Sequence, residues 1–534
     1  METKTINLKD SNYFSSLMIN YINQKEEIKP FYNRFPSFEN YSEQALEKLK
    51  TYQHRSVLVN QLEKQLYDLA LTKKQKKNLE LLKQDNTVTI TTGHQLNLFT
   101  GPIFFFYKIL QVIKQCKELN KNQDKINFVP VFWMATEDHD FEEINHFHYK
   151  DRIIHWSKEH GGPVGKLSTD GLNEVFNSYL SLFPNGKKKE QLKDLIETSY
   201  LSSSTLTEAT RKLVHTLFGE YGLLMIDGDD KVLKETIIPI FEKEIIQNLA
   251  YKQVIRQIEK LAELNVHAQV NPREINLFYI ANPLSRERII FENEKYNVLN
   301  TSISFTKEEI LAEVNQFPER FSPNVIIRPL YQETILPNVA YVGGGGELAY
   351  WLELKTMFEA YEVPFPLLVL RNSMLIRTKK QAQKQLALNL REEDLFRSGR
   401  AIIKEDVEKN SELLEQLPNL RSQLENLFKD LETLSTQTDV SFYNMVQAQR
   451  TRQIKGFEKL EKRLVKAEIK KQEDHQKRID HLLEDLSQQN GLQERVRHFS
   501  DFDYVDVKLF IDSIYQNINP FEFKFIINTL DEDI

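Results

Sequence analysis

The pattern of apolar and polar positions between residues 87 and 148 predicts a βαβ unit. A β-branched run at 87–92 is typical of a buried strand, and it breaks at Gly93-His94-Gln95. Three elements follow in order: a turn through 97–102, an apolar helix over about 103–119, and a strand at 128–134. That strand leads into the sequence Glu137-Asp138-His139-Asp140. Because ligands of open parallel sheets bind at the carboxyl ends of the strands, we expect the chemistry at these ends.

Two later blocks repeat this α/β pattern. The first predicts a strand at 222–227, between helices over 202–221 and 231–261. The second predicts strands at 325–330, 339–342 and 366–370, and a helix over 347–361. Four glycines, Gly343, Gly344, Gly345 and Gly346, precede that last helix. We therefore expect a sheet domain over 85–380, with insertions at about 150–320 and a helical collar formed by residues 1–84.

Leucines at three- and four-residue spacing mark the last third of the chain. They are Leu417, Leu420, Leu424, Leu427, Leu431 and Leu434. This spacing is that of the a and d positions of a coiled coil. A polar turn at 435–439 and a second helix over about 441–489, whose apolar phase slips between Ala467 and Ile479, complete the pattern. It predicts an antiparallel helical arm over 381–490, after which residues 491–534 fold back as a small packed segment.

Composition narrows the class of protein. The 534 residues are 40% hydrophobic and 28% charged, with a net charge of -7, so nothing draws the chain globally to nucleic acid or to an anionic membrane. The single cysteine excludes an intrachain disulfide framework and a multi-cysteine zinc site. The N-terminus lacks the layout of a signal peptide, and no apolar run reaches the ~18 residues of a membrane helix. We expect a cytoplasmic protein that binds small molecules.

Three polar groups are candidates for chemistry. A phosphate could bind at the Gly93-His94-Gln95 turn, to the backbone amides and to the positive end of the next helix. A tight turn with a capping side chain, without any ligand, explains the same residues equally well. The acidic sequence at 137–140 could orient and deprotonate an amine or cap the next helix with solvated acids. The zinc-hydrolase spacing H-E-x-x-H is absent, so we expect no protein-bound metal. The four glycines favour a ligand loop over a merely flexible one.

The same blocks carry a resemblance to a known family. The matching sequences are Thr92-Gly93-His94-Gln95, Leu98-Phe99-Thr100-Gly101-Pro102, Val129-Pro130-Val131-Phe132-Trp133, Glu137-Asp138-His139-Asp140-Phe141-Glu142-Glu143-Ile144-Asn145-His146, Pro323-Asn324-Val325, Arg328-Pro329-Leu330-Tyr331-Gln332, Leu336-Pro337 and Ala340-Tyr341-Val342-Gly343-Gly344. In these sequences the chain resembles the cysteine ligases of bacillithiol biosynthesis, the cysteine-adding enzymes. The resemblance spans nearly the whole chain.

The resemblance implies a Rossmann-like core of the nucleotidyltransferase type with inserted segments, and an antiparallel coiled-coil arm that forms a homodimer. It implies an amide bond between the carboxyl of cysteine and the amine of glucosaminyl-malate. Because an amide needs an activated carboxyl, ATP, with Mg as an accompanying ion, is the expected co-substrate, acting by adenylation or phosphorylation.

The expected roles of individual residues follow from the same resemblance. Asp138, His139 and Asp140 would bind and deprotonate the amine. The expected substrate- and nucleotide-binding set consists of Gly93, His94, Gln95, Asn97 and Gly101, which would lie near phosphate, together with Arg328, Tyr341, Gly343, Gly344, Gly345, Gly346 and Asn372 on the opposite wall. Two other hypotheses remain open: a metal-dependent hydrolase that uses the acidic cluster, and a noncatalytic scaffold organised by the arm.

Overall fold

The computed structural model describes residues 2–487, 491–502 and 504–530. The chain divides into two compact units, one of residues 1–376 and 491–534 and the other of residues 377–490. Within the described residues, no helix is long and apolar enough to cross a membrane.

The first unit begins with mostly helical elements that precede the main sheet. In order they are β1 (Glu2–Asn7), α1 (Ser16–Ile22), α2 (Asn40–Thr51), α3 (Arg55–Gln65) and α4 (Lys73–Leu82). The first half of the sheet region follows as β2 (Thr87–His94), α5 (Phe104–Asn122) and β3 (Asn127–Met134). The predicted βαβ unit is therefore confirmed, although β2 continues through Gly93 and His94, where we expected a turn.

The middle of the chain supplies most of the remaining elements. They are α6 (Phe141–Ile144), β4 (His146–Tyr149), β5 (Arg152–His155), α7 (Leu172–Leu180), α8 (Lys187–Ser199), α9 (Leu206–Phe218), β6 (Leu224–Asp227), α10 (Lys231–Glu235), α11 (Ile238–Gln247), α12 (Leu249–Ala262), β7 (Leu277–Asn282), β8 (Ser285–Glu292), β9 (Lys295–Val298), β10 (Ser304–Phe305), α13 (Lys307–Gln316), β11 (Phe321–Pro323), α14 (Ile327–Ile335), β12 (Asn338–Gly343), α15 (Gly345–Trp351), α16 (Lys355–Ala360), β13 (Leu367–Leu370) and β14 (Ser373–Thr378).

The central sheet has the strand order β13-β12-β2-β3-β6, and its neighbouring strands are parallel. Its strands consist of continuous apolar or β-branched residues, because a parallel sheet is covered by helices on both faces and its strands have no face exposed to solvent. Parallel pairing places the carboxyl ends of the strands at one edge, where Gly93 pairs with Trp133 and His94 with Met134. Strand β6 lies within the range where we expected insertions, yet it forms one edge of this sheet.

A second five-stranded sheet, β10-β9-β8-β7-β11, is built from antiparallel pairs and forms part of the inserted region. Four of its strands, β7 to β10, lie within the range of about 150–320 where we expected insertions. The C-terminal part of the unit contains α23 (Gln493–Val496), α24 (Val507–Asn517) and β15 (Lys524–Leu530), and β15 lies between β1 and β14 in a third sheet. The last residues of the predicted fold-back segment, 531–534, lie outside the described residues.

Three predicted elements need correction. The apolar block at 325–330 was expected to be a strand, but α14 begins within it at Ile327. The Asn324 side chain accepts hydrogen bonds from the backbone N–H groups of Ile326 and Ile327, which favours a turn at this point over an extended strand. The predicted helix over 347–361 is divided into α15 and α16. The predicted helix over 231–261 is divided into α10, α11 and α12.

The second unit consists of α17 (Lys379–Ala387), α18 (Gly399–Asn410), α19 (Glu412–Glu415), α20 (Leu417–Ser435), α21 (Val440–Lys471) and α22 (Glu473–Ser487). Ion pairs join Glu432 to Arg450 near the turn and Arg421 to Glu458 farther from it, so α20 and α21 run antiparallel, as predicted. The second predicted helix breaks at Gln472, within the stretch where its apolar phase slips. Its predicted end at Gln489 lies outside the described residues.

Candidate functional site

A cavity of about 1090 Å³ opens at the carboxyl edge of the central sheet. Its floor comes from the ends of β2, β3 and β12, and its far wall includes residues of β7 and β8 in the second sheet. The volume lies just above the ~300–1,000 Å³ range of small-molecule sites, so the cavity has room for more than one small substrate.

Asp138 is held rigidly at this cavity. One oxygen of its carboxylate, Oδ1, accepts hydrogen bonds from the backbone N–H of His139 at 2.7 Å and of Asp140 at 3.3 Å. The other, Oδ2, accepts from Nε2 of Gln95 at 2.8 Å, and Gln95 also donates to Glu143. The Asp138 side chain keeps 29% of its surface exposed. A fixed and accessible carboxylate of this kind can bind an ammonium group and accept its proton.

His139 lines the same cavity and is held from the second sheet. Its Nδ1 lies 2.7 Å from Nη1 of Arg286, a buried side chain of β8. Burial, followed by the charge of Arg286, lowers the pKa of the His139 imidazole. His139 is therefore a neutral side chain at neutral pH.

The carboxylates behind Asp138 are neutralised within the protein. Lys234, fully buried, pairs with Glu137 at 2.6 Å and with Asp229 at 3.2 Å, and Lys166 pairs with Asp229 at 3.0 Å. Among the described residues, no group of three His, Cys, Asp or Glu side chains is arranged to hold a metal ion. The carboxylates of Glu137 and Asp229 are engaged by lysines.

A buried ion pair joins the first helix of the βαβ unit to the glycine loop. Nζ of Lys108 donates to the carbonyl of Gly93 at 2.5 Å and to both carboxylate oxygens of Glu347. Glu347 also accepts from the Tyr341 hydroxyl and the Gly344 backbone N–H. Burial alone would raise the pKa of Glu347, but Lys108 and the Gly344 N–H lower it to about 2.

Three planar side chains stack at the floor of the cavity. The His94 ring lies 5.2 Å from that of Phe104, and the guanidinium of Arg371 lies 4.9 Å from the same ring. Burial and the neighbouring Lys108 lower the pKa of His94 to about 3. His94 is consequently neutral, and the two cationic groups beside it are each paired with a carboxylate, Lys108 with Glu347 and Arg371 with Glu494.

Arg328 completes the glycine-rich wall. Its guanidinium lies over the Tyr341 ring, with 6.0 Å to the ring centroid, and it donates hydrogen bonds to Gln332 and to the Tyr350 hydroxyl. Arg328 and Tyr341 both line the cavity.

The structure brings together part of the residue set proposed from the sequence. The residues that line the cavity are Gly93, His94, Gln95, Asp138, His139, Arg328, Tyr341, Gly344 and Gly346. The residues that do not line it are Asn97, Gly101, Asp140, Gly343, Gly345 and Asn372.

The residues outside the cavity have structural contacts of their own. Gly101 has a φ of +63, and a Cβ there would lie 2.8 Å from Cβ of Asn97, so both shape the turn after β2. Asn372 accepts from the Asn519 backbone N–H and donates to the carbonyl of Glu522, which ties it to the C-terminal segment.

Several cavity residues were missed by sequence reasoning. Lys108, a lone charge in an apolar helix, did carry a signal, because a buried lysine needs a partner. Glu347 follows the glycines directly and could have been noted as that partner. Arg286 carried no signal, since it lies in an ordinary polar and apolar alternation, and only the approach of the second sheet gives it a role.

The fold and the cavity define a Rossmann-like α/β protein with a cavity at the carboxyl edge of its parallel sheet and a coiled-coil arm. Residues 1–372 match the family model of the bacillithiol biosynthesis BshC N-terminal Rossmann-like domain, and residues 374–530 match that of the BshC C-terminal coiled-coil domain. The chain belongs to the BshC family of bacillithiol biosynthesis.

Three relatives in this family match over nearly their full length. Proteins named "Putative cysteine ligase BshC" are 47% identical in Flavobacterium johnsoniae, covering 99% of this chain and 100% of the relative, and 45% identical in Flavobacterium psychrophilum, covering 99% of each. The protein of that name in Christiangramia forsetii is 43% identical and covers 99% of each chain. The resemblance described from the sequence motifs is thereby confirmed at the level of the family.

Proposed function

We propose that this protein is a ligase that joins the carboxyl group of cysteine to the amine of glucosaminyl-malate, with ATP activating the carboxyl. Family membership and the names of the relatives support a cysteine ligase. The nucleotide and the identity of the amine acceptor are part of the proposal.

The observation that carries the proposal is the position of Asp138. Its carboxylate is fixed by Gln95 and two backbone N–H groups at the edge of a cavity that also contains cationic side chains. The amine of an aminosugar enters as an ammonium ion and must lose a proton before it can attack an acyl carbon. Asp138 would bind that ammonium ion and accept its proton, which is the function of a general base.

A cationic side chain beside the glycine loop supports the part of the proposal that concerns the nucleotide. Lys108 and Arg371 are already paired with Glu347 and Glu494, whereas Arg328 donates to the neutral side chains of Gln332 and Tyr350. Gly344 and Gly346 line the same cavity and let a ligand approach the backbone closely. An anionic triphosphate is suited to such a site. Because Glu137, Asp229 and Glu347 are paired with lysines, a magnesium ion would be held chiefly by the phosphates of ATP.

The test compares the wild type with Asp138→Asn and with the matched variant Asp140→Asn. Asp140 is the adjacent carboxylate, exposed and outside the cavity, and its backbone N–H is retained in the variant. Cysteine, glucosaminyl-malate and ATP are supplied, and mass spectrometry follows the thiol product together with AMP and ADP. We expect Asp138→Asn to lower kcat by about 10²- to 10⁴-fold, the usual contribution of a general base, and Asp140→Asn to stay near the wild type.

Release of AMP would identify adenylation, and release of ADP would identify phosphorylation. A folded wild type that forms no product would contradict the stand-alone ATP ligase. Equal losses in the two variants would contradict the role of Asp138.

A further inference from the structure

Arg286 is fixed by contacts on several sides before it reaches His139. Its Nε donates to the Ser322 hydroxyl at 2.9 Å, and its Nη2 donates to the carbonyl of Pro323 at 2.8 Å. The guanidinium also lies 3.9 Å from the centroid of the Phe278 ring. The remaining nitrogen, Nη1, lies 2.7 Å from Nδ1 of His139. The direction of this last N–H is therefore set by the second sheet and not by the histidine.

This contact determines where the imidazole carries its hydrogen. A guanidinium has N–H donors and no lone pair, so Nδ1 of His139 must accept and cannot be protonated. In a neutral imidazole the hydrogen then lies on Nε2. The His139 side chain is 44% exposed and lines the cavity, so Nε2–H is the group that a ligand there would meet.

The opposite tautomer, with the hydrogen on Nδ1, would be favoured by a carboxylate that lies close to this nitrogen. Oδ1 of Asp138 lies 3.8 Å from the same Nδ1, and a carboxylate would draw the hydrogen to that nitrogen. The charged groups that act on His139 are Arg286, which favours the neutral ring, and Asp138, Asp140 and Glu287, which favour the cation. Arg286 is the group that opposes the three carboxylates.

We propose that Arg286 is a positioning residue that holds His139 as the neutral Nε2–H tautomer, so that His139 donates a hydrogen bond to the acyl oxygen while the amide forms. The proposal rests on the proposed ligase function and assigns His139 as a donor, where the sequence suggested a residue that removes a proton.

In this step Asp138 accepts the first proton of the ammonium ion and releases it to solvent, and the neutral amine nitrogen bonds to the acyl carbon of the activated cysteine. Asp138 then accepts the second nitrogen proton as the amide forms. Negative charge develops on the acyl oxygen, which Nε2–H of His139 stabilises, and the bond from the acyl carbon to the phosphate or AMP oxygen then breaks. A fixed donor directed at an oxyanion is an effective way to lower such a barrier.

The tautomer is tested without any activity measurement. Nitrogen-15 NMR of the full chain labelled at its 12 histidines would locate the His139 ring, assigned from the signals that vanish in His139→Gln. At pH 7 we expect an unprotonated Nδ1 and a protonated Nε2. Arg286→Gln should move the hydrogen toward Nδ1, whereas Arg288→Gln, two positions along the same strand, should leave the signals unchanged. A protonated Nδ1 in the wild type would overturn the proposal, even if Arg286→Gln did not fold.

The role of the donor is tested by kinetics. His139→Ala should lower kcat by about 100-fold, as for the loss of an oxyanion donor. His139→Gln retains an N–H donor, so its kcat should be about tenfold higher than that of His139→Ala. In Arg286→Gln, Nε2 would face the acyl oxygen with a lone pair at pH 8. Protonation below the ordinary histidine pKa of about 6.5 would restore the donor, so the defect relative to the wild type should shrink by about tenfold at pH 5.5.

A defect in Arg286→Gln that does not depend on pH, or equal losses in the Ala and Gln variants of His139, would overturn the donor role. A wild type without ligase activity would overturn the proposed function together with the acyl-oxygen role, and the NMR spectrum would still decide the tautomer.

Discussion

Lys108 shows how one side chain can connect two parts of the site. It lies in the apolar helix α5 with 3% of its side chain exposed, and it contacts Gly93 at the end of β2 and Glu347 at the start of α15. Burial lowers the pKa of Lys108, and Glu347 opposes that change. A single ion pair thus fixes the glycine loop to the strand end beside His94.

Removing this lysine should therefore destabilise the protein strongly. We expect Lys108→Met to lower the free energy of unfolding by about 3 kcal/mol, because a largely buried carboxylate loses its counter-charge. The double variant with Glu347→Gln should recover about 1 kcal/mol or more, since it removes the isolated charge.

Urea unfolding monitored by circular dichroism would measure these differences. Lys121→Met serves as the matched control, because Lys121 lies in the same helix and pairs with Glu118 at the surface, and it should change the stability by less than about 0.5 kcal/mol. Equal effects at the two lysines would contradict this account.

At the scale of elements, helix α20 leaves one row of its leucines exposed. Leu420, Leu427 and Leu434 follow at seven-residue intervals with 47%, 56% and 60% of their surfaces exposed. The alternate leucines of the heptads, such as Leu424 and Leu431, are half-buried. An apolar row with this period matches the seam of a coiled coil. We infer that it is covered by a second copy of the chain, as expected from the sequence.

Polar substitution in this row should weaken the dimer. We expect Leu420→Gln with Leu427→Gln to raise the dissociation constant by about 100-fold, because about 3 kcal/mol of apolar burial is lost. The matched control, Asn419→Gln with Asn426→Gln, changes the preceding positions at the same spacing and should leave the dimer intact. Sedimentation equilibrium would measure all three proteins, and a monomeric wild type would refute the inference.

At the scale of the whole molecule, the C-terminal segment returns to the turn behind the site. His498, fully buried, donates from Nε2 to the carbonyl of Phe99, and its Nδ1 accepts from the Ser500 hydroxyl. Phe99 has a φ of +46, a left-handed conformation that costs about 1 kcal/mol or more in a residue with a side chain. The contact with His498 offsets that cost across 399 positions of sequence.

This contact should make stability depend on pH. Burial lowers the pKa of His498 to about 3, so the folded protein resists protonation while the unfolded chain binds a proton below about 6.5. Stability from this group is therefore complete above pH 6.5 and is lost as the pH falls toward 3.

We expect His498→Gln to be less stable than the wild type by about 1–3 kcal/mol at pH 7.5. At pH 5 the stability of the variant relative to the wild type should rise by about 2 kcal/mol, because only the wild type carries this penalty for protonation. Urea unfolding at both pH values would measure the difference. His267 is exposed, so the stability of His267→Gln should change with pH as that of the wild type does. A stability difference between His498→Gln and the wild type that is the same at both pH values would contradict the prediction.

The sequence by itself determined the elements whose patterns are local. The β-branched run of β2, the apolar helix α5 and the heptads of α20 are each set by neighbours a few positions away, and the structure has them near their predicted bounds. The strand predicted at 325–330 is wrong, because β-branched residues also occur in helices and the Asn324 side chain accepts backbone N–H groups just before the helix begins.

The tertiary structure alone decided which side chains meet in the cavity. Arg286 and His139 are 147 positions apart, Lys108 and Glu347 are 239 apart, and Asp140, adjacent to His139, lies outside. Local patterns cannot encode such pairs, because they depend on how two sheets approach and on which buried charges can be neutralised there. The sequence therefore determined that a cavity would lie at the carboxyl edge of the sheet, and tertiary packing determined which side chains line it.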